Sequence, residues 1–319
     1  MYLIRFMNIQ KQERDQELTQ FIESIVKIPD WVKYYGLNHH SPSQLNKIDG
    51  AWSYEYLFLT QEQRRNLPGN SKMFAGIQVG NAAQADYGTY AWERNKKIEI
   101  KRQKKAVERM LQYFNSYLPV DDRDREQHEI NKQGLALIYD QFRMAFKMVG
   151  LKEPIECERT VTFELPGCQL PCIGRIDFED ANNFIELKTK WKKRGKPKND
   201  GTTSYSLQNI SYGYLGWREH LLQIAFYWLA TKKKPHLVVI NENKFNVFTP
   251  DNCEDLKPKN LEKFLNVMAT VAKRRERLME RHAGKNTFTL DVEPTFNHPY
   301  FWNYGGNHKQ EAMKLWGIK

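Results

Sequence analysis

Cysteine is scarce in this chain. There are four in 319 residues, at positions 157, 168, 172 and 253, too few for a disulfide scaffold, so a reducing compartment is the expectation. No run approaches the roughly 20 consecutive apolar residues that a membrane span needs, and no membrane partner is expected. The stretch Met1 to Gln10 lacks the basic-then-apolar layout of a signal peptide. There is no Gly-x-x-x-x-Gly-Lys-Ser/Thr motif, so neither a nucleotide cofactor nor ATP-driven unwinding is expected. Internal repeats and low-complexity blocks are absent too. Acidic residues are outnumbered: 38 Asp+Glu stand against 49 Lys+Arg, a formal charge of +11, which favours a polyanionic partner. What the chain does have is 40% hydrophobic and 13% aromatic residues. That composition excludes a wholly disordered chain and supports a sizeable core.

Helical periodicity leads. Leu18, Phe21, Ile22, Ile25 and Val26 recur at helical spacing within 11–28, and Pro29 stops the pattern. Ser41 before Pro42 reads as an N-cap with proline at the first helical position. A helix is expected over Met73 to Asp86 despite Gly76 and Gly80. Residues 91–118 form a basic amphipathic pattern whose apolar stripe is Ala106, Val107, Met110, Leu111, Phe114 and Leu118. A further helix is expected from about Glu129 to Val149, with Leu137, Ile138, Phe142, Ala145 and Phe146 inward.

The period then changes to two. Ile155, Cys157, Val161, Phe163 and Leu165 alternate as in a strand. Cys172–Phe178 and Asn183–Lys188, joined by the turn-forming Glu-Asp-Ala-Asn, suggest a hairpin. The basic stretch from Lys188 and the Gly, Ser, Tyr and Asn residues up to Gly216 read as a long loop. Trp217 to Ala230 returns to helix, His236–Asn241 and Phe245–Thr249 read as strands, and Leu261 to His282 is a basic-ended helix. The fold class expected is α/β (α+β), a small mixed sheet flanked by helices. Residues 1–150 would be a helical N-terminal part and 151–319 the core, in one integrated domain.

The chemistry concentrates in Gly174-Arg175-Ile176-Asp177 and Ile185-Glu186-Leu187-Lys188-Thr189. On a strand Glu186 and Lys188 share a face. A hairpin partner carrying Asp177 brings a second carboxylate beside Glu186. Two carboxylates and a peptide oxygen suit a hard cation such as Mg²⁺ or Mn²⁺. A lysine at the rim can orient or help deprotonate the attacking water and offset developing charge. The bland alternative is a solvated Glu/Lys strand face. Gln223 and Tyr227, four apart in a predicted helix, also share a face, and a glutamine in so apolar a segment needs a hydrogen-bond partner.

In order along the chain stand Ser41-Pro42-Ser43-Gln44-Leu45, Gly76 with Val79, Gly174-Arg175-Ile176-Asp177, Glu186-Leu187-Lys188-Thr189 and Gln223…Tyr227. This ordered set resembles the RecB-like branch of the PD-(D/E)XK nuclease superfamily. It is similar to CRISPR-adaptation, mitochondrial genome maintenance and phage exonucleases. The resemblance implies a restriction-endonuclease-like sheet flanked by helices, with the helical N-terminal part as an arch or channel wall. It implies Asp177, Glu186 and the Leu187 carbonyl as ligands of Mg²⁺ or Mn²⁺ and Lys188 as the catalytic lysine. Gln223 and Tyr227 would organise the site and contact the nucleic-acid strand.

Two departures stand out. The family's helix histidine falls at Gly80, with Gln84 one turn on as a weaker ligand and His39, His40 and His220 as other candidates. The cysteines lack the distribution of an iron–sulfur site, and Cys168 with Cys172 makes a poor zinc site, so no cluster is expected. Lys190, Trp191, Lys192, Lys193 and Arg194 extend from the candidate strand. They are expected to meet substrate phosphates, with aromatics stacking unpaired bases.

The activity implied is metal-dependent hydrolysis of DNA, from single-stranded ends, in recombination, repair or phage DNA metabolism. Its setting would be the cytoplasm of a bacterial cell or a phage-infected host, and its protein partners a helicase, a single-strand-binding protein or a recombination protein. The alternatives are a structure-specific endonuclease on the same core and a catalytically silent nucleic-acid binder. RNA remains open as a substrate.

Overall fold

Apolar residues on both faces of the central strands dictate layers on both sides. The computed structural model describes residues 29–67, 69–87, 89–90, 106–197, 199, 202–211, 217–285, 287–298, 302 and 307–318. The helix expected over 11–28 and the basic stretch 91–105 lie outside them. Among the described residues no helix is long and apolar enough to cross a membrane.

Eight strands are described: β1 (Thr89–Tyr90), β2 (Glu156–Phe163), β3 (Cys172–Glu179), β4 (Asn183–Thr189), β5 (Lys193–Pro197), β6 (Thr203–Ser206), β7 (Lys234–Ile240) and β8 (Phe245–Phe248). Six of them form one sheet in the order β1-β2-β3-β4-β7-β8. β1 is parallel to β2, and β4 to β7, while the other pairs are antiparallel. The architecture is therefore α/β, with a mixed central sheet flanked by helices. β5 and β6 pair separately, so part of the expected long loop is a hairpin.

The longer helices are α1 (Ser71–Tyr87), α2 (Ala106–Asn115), α3 (Asp122–Val149), α4 (Trp217–Thr231), α5 (Lys263–His282) and α6 (His308–Leu315). On one face, Val79, Leu135, Phe142 and Met110 from α1 to α3 pack with Cys157, Phe178, Ile185, Val238 and Ile240 of the sheet. On the other, Ile224, Phe226, Met268 and Ala272 from α4 and α5 pack with Val161, Ile176, Phe184, Leu237 and Val239. The expected N-terminal part, 1–150, supplies the first of these layers through its described residues. Its described helices α1 to α3 are a layer of the core, because their apolar stripes need the sheet to leave water.

Two boundaries and one facing differ from the periodicity reading. α3 starts at Asp122 rather than Glu129, where the Asp121 carboxylate caps the Asp124 N–H at 2.7 Å. Its first two turns are mostly polar and give no apolar signal. Leu118 lies beyond the end of α2 and is 76% exposed, and Leu137 of α3 is 49% exposed, so neither joins the inward stripe.

Candidate active site

The sheet opens where the carboxylates sit. β4 pairs with β7 from Asn183↔Lys234 to Thr189↔Ile240, but with β3 only at Phe178↔Ile185 and Glu179↔Phe184. Past that point the Asp177 carboxylate replaces a strand partner, accepting the Leu187 N–H through Oδ2 at 2.7 Å. The hairpin turn before β4 is set by Asp180, whose Oδ1 accepts the Asn182 and Asn183 N–H groups at 2.7 Å each. The divergence leaves Asp177 and Glu186 facing the same side.

Glu186 is buried, with 1% of its side chain exposed. Its Oε1 is ion-paired to the Lys188 ammonium, whereas Oε2 is buried with no hydrogen-bond partner. Burial, then the neighbouring Asp177, pushes Glu186 up to about 8, against the pull of Lys188. Burial likewise raises Asp177, opposed by Lys188 and the Leu187 N–H. One ammonium is shared by buried Glu186 and half-buried Asp177, and one carboxylate oxygen is left over. That donor set is short of positive charge and offers hard oxygens, so it fits a divalent cation. No three His, Cys, Asp or Glu side chains gather into a ready cation cage among the described residues.

Around Lys188 the predicted residues join one chain of hydrogen bonds. Lys188 Nζ donates to Gln223 Oε1 at 3.1 Å, and Gln223 Nε2 donates to the Tyr227 hydroxyl at 2.9 Å. The Tyr227 hydroxyl donates in turn to the Arg175 carbonyl. Burial and the Glu186 and Asp177 carboxylates hold the Tyr227 hydroxyl well above the usual phenol range, so it stays a proton donor. The glutamine in an apolar helix thus has its partners on both sides.

Gly174 explains how α4 comes so close. A Cβ there would lie 2.7 Å from the Phe226 ring and 2.8 Å from the Tyr227 ring. Gly174→Ala is expected to cost about 1–3 kcal/mol by overpacking. Thermal melts should fall as Tyr227 moves away from Gln223. An unchanged melting temperature would show that the rings have room.

Beside Tyr227 is a cavity of about 290 Å³ lined by His39, Ser41, Ser43, Arg175, Gln223 and Tyr227, among others. Its rim is built by a bridge from His40 to the start of β3, with His40 N–H to Pro171 O and Ile173 N–H to His40 O, both 2.8 Å. Ser41 caps the turn Pro42–Leu45 as expected, accepting the Gln44 N–H at 3.3 Å.

One residue was not legible as part of the site. Glu158 of β2 has a left-handed backbone, φ 53°, unusual for a residue with a side chain. It adds negative potential at both Glu186 and Tyr227. Gln84 Nε2 donates to its Oε1 at 2.8 Å. The helix glutamine expected as a weak ligand holds a third carboxylate instead. At Gly80, where the resemblance would place a histidine, an added Cβ would meet nothing within 4 Å.

The histidine candidates differ in their surroundings: His39 lines the cavity, and His220 has a buried Nε2 with no hydrogen-bond partner. His40 Nε2 pairs with Glu276 at 3.1 Å in the core, and His39 Nδ1 with Asn38 at 2.9 Å. His220 lies beside Lys188 and Lys190, and burial followed by those two cations lowers it to about 3. Unfolded, it would bind a proton near 6.5. Its contribution to stability is complete above pH 6.5 and is lost as the pH falls from there toward 3. His220→Gln should therefore reduce the loss of unfolding free energy on acidification by about 1.4 kcal/mol per pH unit between 6 and 4. Chemical denaturation across that range checks it, and an unaltered slope would refute the neutral buried imidazole.

The basic extension separates into parts. Trp191 is 2% exposed and packs in the core, its indole N–H donating to Thr189 Oγ1 at 3.2 Å. It is removed from the residues expected to meet nucleic acid, because its ring fills the space between β4 and the helices. Lys192 is neutralised by buried Glu242 at 2.6 Å, and Arg194 by Glu126 at 2.9 Å. Lys190 stays close to Lys188 through their shared neighbour His220, while Lys193 is exposed.

No family model matches this chain, and no curated protein matches it. A solved structure from Eubacterium rectale, provisionally named an exonuclease, overlays with a TM-score of 0.42 at 12% identity, over 76% of this chain and 82% of that one. SSO0001 overlays with a TM-score of 0.29 at 13% identity, over 63% of this chain and 84% of that one. Both scores are too low to carry an argument, and the functional reading rests on the site itself.

Proposed function

We propose that this protein is a metal-dependent deoxyribonuclease of the RecB-like PD-(D/E)XK kind, hydrolysing phosphodiester bonds from single-stranded DNA ends. One observation carries the reading: buried Glu186, with an oxygen left without a partner, stands with Asp177 at the end of a chain of hydrogen bonds through Lys188, Gln223 and Tyr227. Asp177, Glu186 and the Leu187 carbonyl would hold Mg²⁺ or Mn²⁺. When bound, that ion supplies Lewis acidity and a water of lowered pKa.

The remaining chemistry belongs to the chain. Lys188, fixed between Glu186 and Gln223, orients the attacking water and offsets charge on the phosphoryl oxygens. Tyr227, kept protonated, donates a hydrogen bond and holds Gln223 in place. Arg175 with the Ser41 and Ser43 hydroxyls seats a neighbouring phosphate in the cavity. Glu158, held by Gln84, adds a third carboxylate, for which Glu158→Gln is expected to reduce cleavage about 10-fold or more, on the scale of removing a supporting ligand. Unchanged rates in that variant would return Glu158 to a structural role. Such an enzyme suits recombination, repair or phage DNA metabolism, in the cytoplasm, beside a partner that opens the duplex.

The reading is tested with end-labelled linear and circular DNA, single-stranded and duplex, in Mg²⁺ or Mn²⁺. Linear single strands should be shortened while circles persist. Cutting of circles would replace the exonuclease with an endonuclease, and binding without cutting would make the chain a silent nucleic-acid binder.

A further inference from the structure

A second concentration of positive charge lies outside the carboxylate site, where three elements are pinned together. The Asp124 carboxylate of α3 accepts the Ser71 N–H of α1 at 2.9 Å. Gln127 of α3 donates to the Lys192 carbonyl at 3.2 Å, at the base of the β5–β6 hairpin. These two ties bring Lys72, Arg123 and Lys193 into one neighbourhood. Lys72 is half-buried, and Arg123 and Lys193 are exposed. Burial and the two other cations together hold the Lys72 ammonium below its ordinary value.

Among the described acids nearby, three are neutralised by other cations and two are held by hydrogen bonds. Asp122 pairs with Arg125 at 2.5 Å, Glu126 with Arg194 at 2.9 Å and Glu242 with Lys192 at 2.6 Å. Asp124 accepts from Ser71 and from the Tyr117 hydroxyl, and Asp121 caps α3. Two N–H groups at the start of α1 are taken as well, Ser71 by Asp124 and Met73 by Asn70 at 3.0 Å. Attraction for an anion therefore comes from the three side chains rather than from a helix end. Among the described residues no ion pair ties a carboxylate to Lys72, Arg123 or Lys193, and their mutual repulsion costs stability in the free protein. The arrangement is repaid when a polyanion supplies the missing charge.

We infer that Lys72, Arg123 and Lys193 form a second phosphate-contact station for the nucleic-acid backbone, on the hairpin side of the candidate catalytic strand. The inference rests on the nuclease reading for the identity of its polyanion. The hairpin continues directly from β4, so a strand engaged at Glu186 has a cationic path past Lys190 to this station. Contacts to phosphates position a strand without reading its sequence, as an end-degrading enzyme requires.

The test is binding of a fluorescein-labelled single-stranded oligonucleotide, followed by fluorescence anisotropy in EDTA over a range of salt. With divalent ions chelated, the result does not depend on cleavage. The triple variant Lys72→Gln, Arg123→Gln, Lys193→Gln should bind about 10-fold or more weakly at low salt. Its slope of log affinity against log salt should shrink by about 2, three contacts at roughly 0.7 each for a single strand. Its melting temperature should hold or rise, since mutual repulsion is relieved. Lys72→Arg should bind as the wild type does.

Equal affinity and slope in a folded triple variant would overturn the station. So would a variant that loses binding to polyglutamate and not to DNA, which would assign the cluster to an acidic protein. If the wild type binds with the steeper slope yet never cleaves, the station stands and the nuclease reading falls.

Discussion

Replacing Lys188 with alanine is expected to abolish DNA cleavage, lowering turnover at saturating DNA by about 10²–10⁴, the range for removing a positioned proton-transfer or charge-stabilising group. The lysine is fixed by Glu186 on one side and by Gln223 at 3.1 Å on the other. Its ammonium therefore has one place to be when water attacks, and no other described cation is tied into that chain of hydrogen bonds. Affinity for single-stranded DNA in the absence of divalent ions should change only a few-fold, because one phosphate contact at most is lost. A purely structural lysine would behave differently: its removal would lower melting temperature and binding together and leave turnover per bound strand intact. Rapid-quench cleavage beside anisotropy separates the two outcomes.

The second large effect is on the fold. Arg275 of α5 is 0% exposed and donates to the Gln44 carbonyl at 2.5 Å and the Lys47 carbonyl at 2.6 Å. Its guanidinium lies over the Trp52 ring at 4.7 Å, and Asp49 stands 3.7 Å away. Burial lowers its pKa to about 9, with Asp49 opposing. Arg275→Ala leaves two buried carbonyls and part of the Asp49 charge without partners, an expected loss of about 3–5 kcal/mol. Arg275→Lys should recover only part, since a single ammonium lacks the fork that reaches two carbonyls. Urea denaturation measures both. The arginine clamps the turn that carries Ser41 and Ser43, so partial unfolding should weaken DNA binding before the sheet melts. An alanine variant as stable as the wild type would remove Arg275 from the account.

Much of the site was legible because its residues obey fixed periods. Glu186 and Lys188 are two apart on β4, and Gln223 and Tyr227 four apart on α4, so their shared faces follow from geometry alone. Asp177 was legible through the hairpin turn that sets its strand beside β4. Glu158 was not, because strand alternation assigns faces only while the backbone stays extended, and this residue is left-handed. Neither Cys157 nor Val161 signals it, although the two odd-numbered residues end on opposite faces of the sheet. Trp191 shows the converse. An aromatic ring among lysines reads as exposed, yet the position just past the end of a central strand is roofed by α1 and α3. Arg275 reads as one of several basic residues at the end of a helix, and nothing local marks it as the one turned inward. Its partners lie about 230 residues away, a separation over which periodicity is silent.

The proposed function stands or falls on Asp177 and Glu186 forming a metal-assisted phosphodiester site. Release of nucleotides from end-labelled linear single-stranded DNA in Mn²⁺, compared between the wild type and Asp177→Asn, tests it most directly. The expected result is progressive shortening by the wild type, none in EDTA, and a loss of at least about 10³-fold in a folded Asp177→Asn protein, since a charge-stabilising ligand is removed. Shortening at the wild-type rate by Asp177→Asn, or by the wild type in EDTA, would contradict it.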